Sequence, residues 1–164
     1  MLLEARAFAL HAHGSQMYGS HPYIYHLDQV SNLLKDFGDS AQAIGYLHDV
    51  LEDTEVEFAE IAHKFGLHIA QCVALLTDEA GATRKDRKIK TYAKLAQVKE
   101  VHSLALVVKT ADRLANVSEC VNGGNHRLLE IYKEEHPVFK DSIYRAGLCD
   151  SLWSELDKLI MVII

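Results

Sequence analysis

The 164-residue chain (18.4 kDa) is 49% hydrophobic and 24% charged, an ordinary globular composition whose length suits one compact domain over residues 1–164. A chain of this size buries roughly 70% of its unfolded surface, so its core needs neither disulfides nor structural zinc. The net charge of −6 and pI near 5.9 argue against long nucleic acid as a partner, while leaving room for a small anion at a local basic patch.

The apolar runs, such as Leu104 to Val108 and Leu159 to Ile164, are far too short to span a bilayer. Glu4 and Arg6 interrupt the N-terminus in a way that a signal peptide does not. Cys72, Cys120 and Cys149 are odd in number, widely spaced and form no CxxC pair, which points to a reducing, cytoplasmic setting.

Helical periodicity dominates, and no stretch shows the alternation of a strand. Leu2 to His13 reads as a first helix and Gly14 to Tyr23 as a loop. A second helix is predicted from Tyr25 to Phe37, stopped by Gly38, and a third from a Ser40 cap to Asp53. Thr54-Glu55-Val56-Glu57 has the capping-box form for a fourth, ended by Gly66. A fifth covers His68 to Thr77, and a sixth begins near Thr83 with the basic stretch. A strongly apolar helix runs from Val101 to Val121, closed by Gly123 and Gly124. The remainder is two or three helices divided near Pro137 and Gly147, and the whole reads as one all-α domain of about eight to ten helices. The Ile160–Ile164 tail suits a core contact or a homodimer contact better than a membrane anchor.

The third helix is apolar from Ala41 to Leu51, yet it carries His48, Asp49, Glu52 and Asp53 at its C-terminal end, in two i,i+4 rows on one side. Three carboxylates there repel one another and oppose the helix dipole, at about 0.3–1 kcal/mol each at a surface and more when buried. A divalent cation would reverse that sign; solvation of Glu52 and Asp53 at the helix end is the plainer account. The Val101–Val121 helix similarly carries Lys109, Asp112, Arg113 and Asn116 as one polar stripe on an otherwise apolar surface. Such groups must be satisfied internally, either by a Lys109–Asp112 or Asp112–Asn116 network or by a ligand. His26 opens the second helix after the segment Pro22-Tyr23-Ile24-Tyr25.

Taken together, His26, His48-Asp49 and Asp112 resemble the H…HD…D signature of the HD-domain metal-dependent phosphohydrolases. Four stretches are similar to the alarmone hydrolase branch: Pro22 to His26, His48 to Thr54, Leu76 to Glu79 with Thr83 to Lys88, and Lys109 to Asn116. The resemblance implies removal of the 3′-pyrophosphate from guanosine tetra- or pentaphosphate, usually with Mn²⁺. It makes His26, His48, Asp49 and Asp112 the metal ligands and Glu52 and Asp53 the residues that orient and deprotonate water. Two imidazoles and two carboxylates suit Mn²⁺, Fe²⁺ or Zn²⁺ better than Mg²⁺ or Ca²⁺. Arg84, Arg87, Lys88 and Lys109 are candidates to hold an anionic nucleotide, with Asn116 and Tyr23 beside it.

The chain departs from the family between residues 14 and 21, where Arg or Lys is usual and Gly-Ser-Gln-Met-Tyr-Gly-Ser-His stands instead; Leu27 also replaces a frequent proline. Tyr18, His21 and Tyr23 are the groups left there to meet a base. The Glu52-Asp53 pair favours the alarmone branch, and the neutral loop favours a different nucleotide hydrolase. A nucleotide-sensing module without turnover is the reading outside enzymes. His11, His13, His63, His68, His102, His126 and His136 lack ligand spacing and read as structural or exposed.

Overall fold

The computed structural model describes residues 1–162. Ile163 and Ile164, where the tail contact was expected to end, lie outside the described residues; Met161 just before them is exposed.

Ten α-helices form among the described residues: α1 (Leu2–His13), α2 (Ile24–Leu33), α3 (Asp39–Leu47), α4 (Val50–Asp53), α5 (Phe58–Phe65), α6 (Leu67–Leu76), α7 (Arg84–Ala96), α8 (Ser103–Gly123), α9 (His126–Ile143) and α10 (Asp150–Ile160). The 21-residue α8 is the central rod, packed by α2, α3, α6, α9 and α10. Its Leu106, Val108 and Leu114 are essentially buried, each such side chain contributing about 1.5–3 kcal/mol. α8 ends on Gly124 in the left-handed conformation (φ 68), whose N–H donates to the Cys120 carbonyl. Thr83 caps α7 through a reciprocal capping box with Asp86.

The structure departs from the sequence expectations in six places. Residues 14–23 hold a two-stranded antiparallel hairpin, β1 (Met17–Tyr18) and β2 (His21–Pro22). Gly19 supplies the positive φ that its two-residue turn requires, and two residue pairs are too few to show alternation. The second helix stops at Leu33 and continues as a 3-10 turn, Lys35–Phe37. α3 starts at Asp39 on a Gly38 cap rather than on Ser40. The fourth helix starts at Phe58, where Glu57 and Glu60 form the capping box, while the Thr54 hydroxyl donates back to the Val50 carbonyl. Pro137 lies inside α9 and does not divide it; it is exposed, so its missing N–H removes a hydrogen bond at a water-facing position.

The expected third helix is also interrupted at His48 and Asp49. His48 Nδ1 lies 2.7 Å from the Gly45 carbonyl oxygen, which a continuous helix would offer to the Asp49 N–H. The chain restarts from Asp49, whose carbonyl accepts from the N–H groups of Glu52 and Asp53 at 3.1 and 2.9 Å. This reset decides which carboxylates share a cleft. No helix among the described residues is long and apolar enough to cross a membrane.

Candidate metal centre and its cleft

Three helices converge on one point. His26, in the first turn of α2, and His48, between α3 and α4, are each 1% exposed. Ligand atoms of His26, His48 and Asp49 all lie within 4.8 Å of one another. Asp112, midway along α8, completes the set: its Oδ1 is 3.3 Å from His26 Nε2 and 3.6 Å from His48 Nε2, while Asp49 Oδ2 is 2.9 Å from His48 Nε2. Around a transition metal with bonds of 2.0–2.2 Å, neighbouring ligand atoms stand about 3.0–3.5 Å apart. The donor set and spacing therefore fit a divalent ion.

The tautomer points the same way. With Nδ1–H donating to the Gly45 carbonyl, His48 turns the lone pair of Nε2 toward the carboxylates. Although Asp49 is close, Nε2 makes no hydrogen bond of good geometry, and it is buried. A buried nitrogen left without a partner is costly unless something fills that position. The same carboxylates, Asp49 and Asp112, outweigh burial and raise the His48 pKa well above the ordinary value, so a proton and a metal ion compete for Nε2. Both carboxyls are held below their usual range in spite of burial, Asp49 by His48, and Asp112 by Lys109 and the two imidazoles.

Aromatic side chains fix these ligands from behind. The Tyr23 hydroxyl donates to Asp49 Oδ2 at 2.6 Å, and its ring stacks on His13 at 4.5 Å. His13 Nδ1 pairs with Gln16 Oε1, and Gln16 Nε2 donates to Asp53 Oδ2, each at 2.8 Å. On the other side, Tyr18 stacks on His26 at 4.7 Å and donates to Asn116 Oδ1 at 2.7 Å; Asn116 in turn donates to Asp112 Oδ1 at 2.6 Å. His21 stacks on Tyr25 instead, away from the cleft.

A polar cleft of about 160 Å³ opens over the ligands, lined by Glu52, Asp78, Arg84, Lys88, Lys109 and Arg113 as well as by Tyr18, Tyr23 and Asn116. Glu52 Oε2 accepts from the Asp78 N–H at 2.9 Å. Burial, helped by the charges of Asp78 and Asp49, pushes the Glu52 carboxyl above its ordinary pKa. Lys88 donates to Asp78 Oδ2 at 2.6 Å, and Lys109 Nζ is 3.4 Å from Asp112 Oδ2. Arg84 binds both oxygens of Glu135 at 2.9 and 3.2 Å, and Arg113 adds a 3.0 Å bond to the same carboxylate.

Two expected residues stand apart from the cleft lining. Asp53 faces Gln16, because the restarted α4 turns it away from Glu52. Arg87 is half-buried beside Gly81, where a Cβ would meet its backbone nitrogen at 2.9 Å and its Cγ at 3.1 Å. Glu135 and Gln16 were missed by sequence reasoning; Asp78 entered only within the Leu76–Glu79 stretch, Tyr18 only as a group to meet a base, and His13 only as structural or exposed. The available signal for Glu135 was its place on the α9 stripe that buries Leu129, Tyr132, Phe139 and Ile143.

Comparison with known proteins accords with this geometry. Residues 5–145 match the HD domain family, and the chain belongs to it. It is 32% identical over 160 residues to a probable guanosine-3′,5′-bis(diphosphate) 3′-pyrophosphohydrolase of Synechocystis sp., covering 93% of this chain and 20% of that protein. It is 29% identical over 158 residues to the corresponding hydrolase of Aquifex aeolicus, covering 94% of this chain and 22% of the relative. The chain thus spans about a fifth of the length of these relatives. A solved structure of a metazoan SpoT ortholog, described as hydrolysing ppGpp, superposes with TM-score 0.82 at 23% identity, covering 96% of this chain and 92% of that one. That likeness bears on the fold.

Proposed function

We propose that this chain is a divalent-metal-dependent phosphohydrolase that removes the 3′-pyrophosphate of guanosine tetra- or pentaphosphate. The observation that carries the reading is the convergence of His26, His48 and Asp49, with Asp112 against both imidazoles, at the floor of a cleft walled by Arg84, Lys88 and Lys109. The two relatives named above lend the substrate class.

His26, His48, Asp49 and Asp112 would hold the ion; the donor set suits Mn²⁺, Fe²⁺ or Zn²⁺ alike, and the family resemblance favours Mn²⁺. When bound, it supplies Lewis-acid polarisation of a phosphoryl oxygen and a water acidified toward neutral pH. Glu52 takes the proton of the attacking water: its Oε2 is fixed by the Asp78 N–H, and the other oxygen is available to the cleft. Lys88 and Lys109 attract the pyrophosphate and neutralise its developing charge, and Arg84, oriented by Glu135, borders the same cleft. Asp53 acts at one remove, bracing Tyr23 and hence Asp49 through Gln16 and His13. Asn116 holds Asp112 in place and Tyr23 does the same for Asp49. The partner this implies is a small anionic nucleotide in an aqueous, cytoplasmic setting.

The test is pyrophosphate release from guanosine tetraphosphate with added Mn²⁺, beside release of phosphate from nucleoside monophosphates. Pyrophosphate as the product supports the reading. Turnover of monophosphates alone assigns the chain to another nucleotide substrate, and metal and nucleotide binding without any product overturns the catalytic reading.

A further inference from the structure

Hydrolysis of a phosphoester moves two protons, one off the entering water and one onto the oxygen that leaves. Glu52 accounts for the first. The second matters as much here, because the 3′ oxygen of a sugar leaves as an alkoxide and gathers charge in the loose transition state of phosphoryl transfer. The cleft therefore needs a side chain that carries a proton and can release it near neutral pH.

Most of the lining is unsuited to that task. The hydroxyls of Tyr18 and Tyr23 are donated to Asn116 and Asp49, and burial pushes the Tyr132 phenol up to about 12. The arginines keep their protons at any accessible pH. Lys109 is paired with Asp112 at 3.4 Å, on the metal side.

Lys88 remains. Its side chain lines the cleft, is 15% exposed, and makes no hydrogen bond or ion pair with the four candidate ligands among the described residues. One of its three N–H groups goes to Asp78 Oδ2 at 2.6 Å, which leaves two for the cleft. Burial, with the charge of Lys109 beside it, lowers the Lys88 pKa although Asp78 opposes the shift. Asp78 also donates its backbone N–H to Glu52 Oε2 at 2.9 Å. A single residue thus holds the base through its main chain and an ammonium group through its side chain.

We propose that Lys88 is the general acid of the reaction and that Asp78 is the positioning residue that sets acid and base at one separation. The water oxygen forms a bond to the phosphorus that carries O3′, and the P–O3′ bond breaks. One water proton passes to Glu52 Oε1, and the electron pair left on O3′ takes a proton from Lys88 Nζ. The products are pyrophosphate and a nucleotide with a free 3′ hydroxyl; Glu52 then loses one proton to solvent and Lys88 regains one. The inference rests on the hydrolase reading above and gives it a second proton path.

The experiment compares single-turnover rates, with added Mn²⁺, on guanosine tetraphosphate and on its analogue with sulfur in place of the bridging 3′ oxygen. A thiolate leaves without being protonated, since a thiol is a far stronger acid than an alcohol. Lys88→Arg keeps the charge but not the ability to give up a proton. Its oxygen-to-sulfur rate ratio is expected to fall about 10²–10⁴-fold below that of wild type. Lys88→Met should show the same fall, with a higher KM on both substrates, and keeps the comparison readable if the arginine does not fit. Asp78→Asn should lower the ratio by about 10–10²-fold, the scale of a misplacement of about 1 Å.

An unchanged ratio in Lys88 variants that hold wild-type Mn²⁺ content overturns the acid, whether both rates fall equally or neither falls. A fall confined to the Lys88 variants keeps the acid and overturns the part given to Asp78. If wild type releases pyrophosphate from neither substrate, the hydrolase reading itself is lost; release with one ratio throughout the series sinks this inference alone.

Discussion

Replacing Glu135 by Leu should destabilise the protein by about 3 kcal/mol, for reasons that lie in Arg113. The Arg113 side chain is 5% exposed and its Nη2 is 3.0 Å from Glu135 Oε2. At an effective dielectric near 20 that separation corresponds to about 5–6 kcal/mol of attraction. Without the carboxylate a buried guanidinium stands uncompensated, a situation that costs about 3–5 kcal/mol. Arg113 keeps its 2.6 Å bond to the Tyr92 hydroxyl and lies over the rings of Phe139 and Tyr132, 4.3 and 4.6 Å from their centroids, so the lower end applies. For a chain of this length, 3 kcal/mol is a fall of about 6–12 °C in Tm.

The assay is thermal unfolding of wild type, Glu135→Leu, Arg113→Met and the double variant. The double variant should recover at least half of the loss, because a buried pair replaced jointly by apolar groups is nearly neutral. Additive losses would refute the reasoning. The pH dependence follows with a definite sign. Burial raises the Glu135 pKa, but Arg84 and Arg113 outweigh it and hold the carboxyl below its ordinary 4.5. A folded value below the unfolded one means that the stabilisation is complete above about pH 4.5 and is lost as pH falls through the folded value. Glu135→Gln should therefore flatten the acid limb of the stability curve.

Asp112→Ala is expected to lose Mn²⁺ binding by elemental analysis, whereas Glu52→Ala should retain the metal and lose about 10²–10⁴-fold in kcat; wild-type metal content in the first or wild-type rate in the second refutes these roles. Tyr23→Phe removes the 2.6 Å bond to Asp49 but not the stack on His13, and should weaken Mn²⁺ about 10–100-fold in titration with little change in Tm. Gly45→Ala places a Cβ 2.7 Å from Leu34 Cδ1 inside the core and should cost about 1–3 kcal/mol in chemical denaturation; an unchanged midpoint would show that Leu34 yields freely.

Much of the molecule was legible because its information is local. Periodicities of three and four residues mark helices wherever they recur, and glycines after the apolar runs mark ends, as Gly66 and Gly124 do. The four candidate ligands were readable because a histidine or carboxylate on an otherwise apolar helix has few other reasons to be there, and the HD pattern told which of them belong together. Asp53 and Arg87 show the limit of that reasoning: the family pattern and a shared helix face put them beside their neighbours, while the cleft lining includes Glu52, Arg84 and Lys88 but neither of them.

What the tertiary structure alone decided depends on contacts between residues far apart in the chain. Whether Tyr18 meets Asn116 across 98 positions, or Glu135 meets Arg84 across 51, is settled by how helices pack and not by any pattern within them. The His48–Asp49 break belongs with these, since an imidazole that takes a helical carbonyl and four donors that converge within a buried space have no counterpart in residue order. Sequence sets the propensity and chemistry of each segment; only packing sets distance, and at a metal centre or in a buried ion pair the energy changes steeply with distance.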